Sequence, residues 1–193
     1  WGYFPSVALG WRFSEENFME RARDVITNGK LRVSYGETGN SDIGNKALDY
    51  YSITGEYVFG DIAYKGVGLG QLGNPNLKWE TTKEWNFGLD LGLYDRVNIS
   101  AEVFSRRIVD LLSTRNLMSF LEVGAIAANI GSTKSKGFEL TVGSRNIITS
   151  SFNWSSDVTF SMYRDTWDMR DPSWKPAAYE KYNDPIRSAY GYK

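Results

Sequence analysis

The sequence predicts an all-β chain, about six to seven antiparallel strands of a transmembrane β-barrel, each with one face on lipid and the other on a water-filled lumen. Three observations predict it. Apolar and polar residues alternate with a period of two over unusually long stretches. Through the middle of each stretch the charges keep to one face. The connections, after the first, alternate between short and long.

Taken in order, Trp1, Tyr3, Pro5, Val7, Leu9, Trp11 and Phe13 oppose Gly2, Phe4, Ser6, Ala8, Gly10 and Arg12. A shorter piece sets Leu31, Val33 and Tyr35 against Arg32, Ser34 and Gly36. The clearest strand spans Lys78 to Leu93, with Trp79, Trp85, Phe87, Leu89, Leu91 and Leu93 on one parity. Glu80, Glu84, Asn86 and Asp90 take the other. This alternation runs for roughly sixteen residues, against the usual five or six of a globular strand. Leu93-Tyr94-Asp95-Arg96 makes a short turn, and Val97, Ile99, Ala101 and Val103 then oppose Asn98, Ser100, Glu102, Phe104 and Arg106. Downstream, Phe138, Leu140 and Val142 alternate with Glu139, Thr141 and Gly143. Phe152, Trp154, Val158, Phe160 and Met162 alternate with Asn153, Ser155, Asp157, Thr159 and Ser161. A seventh strand is expected to start near Ile186.

The polar face carries Arg12, Arg32, Glu80, Glu84, Asp90, Glu102, Arg106, Glu139 and Asp157, and these are the expected lumen-lining charges. The apolar belt carries none; Lys83 and Arg107 lie beyond it, at one end of their hairpin. A charge facing lipid at mid-depth costs roughly 2–4 kcal/mol and little near the interface, and the distribution follows that penalty. Aromatic residues gather at strand ends, as an interfacial girdle requires. The links fall at about 15–29, 37–77, 93–96, 113–134, 146–151 and 164–185. The first is middling, with room for a helical turn. The longest, rich in glycine, reads as an outer loop. Alternation alone fits a soluble glycan-binding β-sandwich equally well. Strand length, the charge-free belt, the aromatics and the links favour the barrel.

Composition removes most other functions. The 193 residues contain no Cys and no His, so thiolate nucleophiles, disulfides and the commonest general base are absent. Twenty-two basic residues against 23 acidic give a net charge of −1, with no basic footprint for nucleic acid. No run of 18 apolar residues exists to make a spanning helix. Glu80 and Glu84 share a face, but about 13 Å of strand separates them, beyond the reach of a glycosidase pair. Glu139 and Asp157 are better explained as lumen acids than as a catalytic pair. Asp165, Asp168 and Asp171 lack calcium-loop spacing. No enzyme, cofactor or metal is expected.

Five segments then bring a family into view. Asn74-Pro75-Asn76-Leu77-Lys78-Trp79-Glu80-Thr81-Thr82 resembles the NP-x-LKWE-TT segment of SusC/RagA-type TonB-dependent outer-membrane transporters. In the same order, Phe4 to Glu16, Leu31 to Asn40, Asn129 to Leu140 and Pro185 to Lys193 resemble that family's other barrel motifs. Arg187 departs from its usual glycine. The resemblance runs from end to end. It implies that residues 1–193 are one partial barrel domain of a 22-stranded barrel, without signal peptide, plug domain or the C-terminal end of the barrel. It implies a Gram-negative, Bacteroidetes-like outer membrane and import of a large nutrient, an oligosaccharide or peptide; a passive porin wall is the alternative. The implied partners are outer-membrane lipid, the rest of the barrel and its plug, a SusD-like surface lipoprotein, and the TonB complex reached through the plug. Contacts with ligand or partner are expected on outer loops, at Tyr50, Tyr51 and Tyr57 and at Trp167, Trp174 and Tyr179, where aromatic rings stack on sugars or pack a partner; packing of loop against loop is the alternative, and the favoured one.

Overall fold

A computed structural model describes residues 2–42, 44–118, 121, 123–172, 174–175, 177–178 and 180–186. Among them the chain forms ten strands. These are β1 (Ser6–Trp11), β2 (Ile26–Asn40), β3 (Tyr50–Phe59), β4 (Ile62–Gln71), β5 (Glu80–Leu93), β6 (Val97–Val109), β7 (Leu112–Asn116), β8 (Ala125–Asn129), β9 (Ser132–Ile148) and β10 (Asn153–Met169). Six pair side by side, all antiparallel, in the order β1-β2-β5-β6-β9-β10. The sheet does not close on itself. The alternating stretches are the strands of this sheet, and most are longer than the sequence pattern alone marked them.

Register fixes what each face carries. One continuous row joins Leu9, Val33, Phe87, Val103, Phe138 and Met162 across the six strands. The adjacent row on the opposite face joins Gly10, Arg32, Gly88, Glu102, Glu139 and Ser161. A slip of one residue in any strand would put its charges among the leucines, so the alternation itself enforces this register.

The apolar face has no second layer against it. Among the described residues Ala128 is the one buried hydrophobic, while Leu9, Phe87, Val103, Phe160 and Met162 each stand more than half exposed. The chain exposes 14695 Å², against about 9,300 Å² for a compact monomer of 21.9 kDa. A sandwich buries this face under a partner sheet. Here no such sheet exists among the described residues. From Trp85 to Leu93 the belt measures about 27 Å along the strand, which at a barrel tilt of about 40° rises about 21 Å, most of a band of about 25 Å.

The connections sort by end. At one end lie the tight turn after Leu93, the link 149–152 and the link 12–25, whose 3-10 turns at Phe13–Glu15 and Asn17–Ala22 match the helical turn expected there. In the tight turn the Arg96 N–H donates to the Leu93 carbonyl at 2.9 Å, with Tyr94 and Asp95 both at positive φ (53° and 55°). This primed geometry follows the twist of the flanking strands. The long links 41–79 and 110–131 and the segment after Met169 lie at the other end.

Two expectations need correction here. The link read as one outer loop, 37–77, is shorter and carries the β3–β4 hairpin; the link at 113–134 carries β7–β8. Glycines at 55, 60, 66, 68 and 70 disguise the first as loop, and β7 and β8 are five residues each. The turn between β3 and β4 needs its glycine, since Gly60 sits at φ +63°. Where a seventh strand is expected, the described residues form no strand, only an isolated bridge to the edge of β10. Pro185 bridges Thr166 antiparallel, and the Ile186 N–H donates to the Asp165 carbonyl at 3.1 Å. Residues 187–193, with Arg187, lie outside the described residues.

Candidate functional site: a charged face beneath aromatic rim loops

Arg32, Glu80, Glu84, Asp90, Glu102, Arg106, Glu139 and Asp157 share one face of the six-stranded sheet. Arg12 lies just past the end of β1 and is exposed. Two ion-pair clusters organise the face. Arg32 holds Asp90 with two hydrogen bonds, Nε at 2.8 Å and Nη2 at 3.2 Å, and reaches Glu102 at 3.4 Å. Ser100 donates to the same Asp90 at 2.8 Å. The guanidinium can cross from β2 to β6 because Gly88 lies between: a Cβ there would come within 2.7 Å of Arg32 Cζ. In the second cluster Arg106 donates to Glu84 at 2.6 Å and Asn86 donates to it at 3.1 Å. Phe104 lies over Gly137, which has no side chain to hold it off, and Arg106 stands 5.8 Å from its ring.

The remaining acids are less tied. Glu139 faces Glu102 in register, and Ser161 donates to it at 3.5 Å. Glu80 accepts the Leu112 N–H at 3.3 Å. Asp157 leans over Gly143, four residues along β10 from the Ser161 that opposes Glu139. That offset puts Glu139 and Asp157 about 13 Å apart along the strands, too far for a carboxylate pair. A recess of about 660 Å³ opens on this face, bordered by Glu84, Glu102, Phe104, Arg106, Glu139 and Asp165 among others.

The link expected from 164 starts only after Met169, because β10 runs on past the apolar belt. Trp167, expected on an outer loop, is therefore a strand residue opposite Thr133, and with Trp174 it gathers around a residue the sequence did not single out. Arg170 stacks on Trp174, 3.7 Å from ring centroid to Cζ, with Trp167 at 5.3 Å and Tyr182 at 5.8 Å. Trp174 and Tyr182 meet edge to face at 6.4 Å. Arg115 on β7 pairs with Asp171 at 3.5 Å, tying this segment to the β7–β8 hairpin. Asp168 binds both Arg107 and Lys134, and Ser132 donates to it at 3.1 Å. The acids at 168 and 171 are thus taken up by cations of the protein. Asp168 stands past the apolar belt, above the spanning part of β10. The Lys134 ammonium, with Ser132 and Arg107, holds its carboxyl below the usual range. Tyr50, Tyr51 and Tyr57 sit on β3, each at least half exposed, so they belong to an ordered hairpin rather than a loose loop. Tyr179 lies outside the described residues. The even-position pattern held the signal for Ser100 and Asn86; nothing in the spacing of Trp167, Arg170, Trp174 and Tyr182 announces their stacking.

A long-stranded antiparallel sheet with one charged face, one bare apolar face and links sorted by length is a segment of a transmembrane β-barrel. Residues 1–189 match the family described as TonB dependent receptor-like, beta-barrel, and the chain belongs to that family. Within it the kinship is of the SusC/RagA type. The chain is 39% identical over 163 residues to TonB-dependent receptor P3 of Formosa agariphila, covering 83% of this chain and 16% of that protein. It is 36% identical over 175 residues to TonB-dependent receptor SusC of Bacteroides thetaiotaomicron, covering 87% and 17%. Its fold matches the RagAB peptide importer in the closed-closed state with a TM-score of 0.82 at 22% identity, over 95% of this chain and 21% of that one. The chain therefore spans about a sixth of the length of the curated relatives it matches.

Proposed function

We propose that the charged face lines a lumen and the apolar face meets lipid, so that this chain is wall of a TonB-dependent importer in a Bacteroidetes-like outer membrane. The observation that carries this reading is the apolar belt, continuous across six strands and covered by nothing among the described residues. The parent protein moves a nutrient too large for passive diffusion, an oligosaccharide or a peptide, into the periplasm. Kinship with SusC and the RagAB fold support import; RagAB is described as a peptide importer.

In this reading the wall is a fixed polar lining. Arg32 and Arg106 are engaged by carboxylates, and Lys30 and Arg145 share the face. The acids Glu80, Glu84, Asp90, Glu102, Glu139, Asp157 and Asp165 outnumber these cations, so the lining is acidic. A plug, moved by the TonB complex, opens the path, and a SusD-like lipoprotein covers the outer end. Tyr50, Tyr51 and Tyr57, and Trp167 and Trp174, offer ring faces to sugar or partner at that end.

The test is gel mobility and uptake by the intact parent protein. Extraction only with detergent, heat-modifiable migration, and loss of growth on one oligomeric nutrient after gene deletion are expected. A parent that stays soluble without detergent and runs identically before and after boiling overturns the reading.

A further inference from the structure

The apolar face changes character at its long-link end. From the row of Trp85 upward, above Val103, Phe138 and Met162, the same parity carries Lys83 on β5, Arg107 on β6, Lys134 and Lys136 on β9, and Arg164 on β10. Lys83, Arg107 and Lys134 lie in one register row, and Lys136 and Arg164 are direct partners in the row beneath. Two acids oppose these five cations: Glu37, 3.2 Å from Lys83, and Asp168, shared by Arg107 and Lys134. Lys136 and Arg164 have no carboxylate partner among the described residues; Arg164 donates to the Asn183 carbonyl at 3.2 Å. Toward the turn end the same parity joins Leu93, Val97, Ser144 and Ser156 in one row, with no charge. Interfacial snorkelling alone predicts cations at both ends. This face has them at one.

We propose that this row is a binding site for a phosphorylated, anionic lipid headgroup in the outer leaflet. The inference rests on the reading that the apolar face meets lipid and the long links face outward. A groove of about 720 Å³ joins the two chemistries such a lipid needs: Lys136 and Arg164 at its upper edge, Phe138 and Met162 below. Headgroup phosphates accept from the ammonium and guanidinium groups, and the acyl chains run down the belt over Phe138, Leu140, Phe160 and Met162. From β5 to β10 the cations span three inter-strand steps, about 14 Å, wide enough for a headgroup carrying more than one phosphate. Asp168 tempers the site by occupying two of its cations.

The experiment is native mass spectrometry of the full-length parent protein in detergent, offered bisphosphorylated lipid A or phosphatidylethanolamine. Wild type is expected to retain lipid A in roughly tenfold preference. The variant K134Q/K136Q/R164Q loses that preference, whereas K46Q/K65Q/K78Q, with equal charge removed from the links, keeps it. Asp168→Asn, which frees Arg107 and Lys134, raises retention and guards against a triple variant that fails to fold. Equal retention by wild type and K134Q/K136Q/R164Q, or no rise with Asp168→Asn, overturns the proposal. Displacement of lipid A by millimolar inorganic phosphate makes this a free-anion site and overturns it as well. Heat-modifiable migration of each sample separates the two failures. If wild type lacks it, the membrane reading has failed; if wild type shows it without lipid preference, only the lipid site has.

Discussion

The two faces of the six-stranded sheet are built from the same strands, yet they treat charge in opposite ways. On one, Arg32, Asp90 and Glu102 sit at mid-height and satisfy one another. On the other, nothing charged appears between Leu93 and Trp85, and five cations crowd the upper edge. The backbone is common to both, so the difference comes from what each face touches. Water and neighbouring ions make a mid-height guanidinium tolerable on one face. Hydrocarbon makes it costly on the other.

The sharpest way to break this comparison is to put one charge at equal height on each face. Leu89→Arg is expected to destabilise the intact barrel by roughly 2–4 kcal/mol in lipid vesicles, read by denaturant titration of tryptophan fluorescence. Thr141→Arg, on the charged face, should cost less than about 1 kcal/mol in the same assay. Equal costs would mean that the two faces meet the same solvent.

Next in size is the crossing of Arg32 over β5. Gly88→Val puts a side chain where the guanidinium passes, and a loss of about 1–3 kcal/mol is expected from overpacking and the displaced ion pair. Arg32→Ala alone should cost about 1 kcal/mol or less, because both partners are partly exposed. A Gly88→Val cost no larger than that of Arg32→Ala would show that the strand moves to admit the valine.

The rim should respond more weakly and in another observable. Arg170→Ala removes a cation held among three rings, worth about 1 kcal/mol, and should speed proteolysis after Met169 without moving the barrel's unfolding midpoint. Acidification offers the smallest effect. The Asp168 carboxyl titrates below the usual range in the fold, so its contribution is complete above the unfolded-state value and is lost as pH falls through the lowered one. Protection of residues 170–186 from protease should fall in that acid window, and Asp168→Asn should abolish the pH dependence.

Most of the sheet was legible because membrane strands carry a strong, simple code. Trp85 to Leu93 and Val97 to Val103 mark depth, face and turn in one reading, and the register that joins them is the one their belts demand. The rim was less legible, for physical reasons. In β3–β4, Tyr51, Ile53, Val67 and Leu69 lie on one face and Tyr57, Phe59, Ile62 and Tyr64 on the other, so no face-to-face contrast announces a strand. The charges on the polar face were visible singly, but their pairing was not. Arg32 finds Asp90 and Glu102 across 58 and 70 residues of sequence, and only register brings them together.

The two rim hairpins also bear on how such a wall is assembled. β5 and β6 meet across three residues, a cheap closure, whereas β2 reaches β5 and β6 reaches β9 only across long links. Closure entropy grows with the logarithm of the chain left unpaired. Once β3–β4 and β7–β8 have zipped, the free chain between the large strands shrinks, roughly twofold for β2 to β5 and roughly four- to fivefold for β6 to β9, cutting the closures by about 0.7 and about 1.4 kcal/mol. Local hairpins outside the sheet thus work as splints, drawing distant strands of the wall to within reach of their partners.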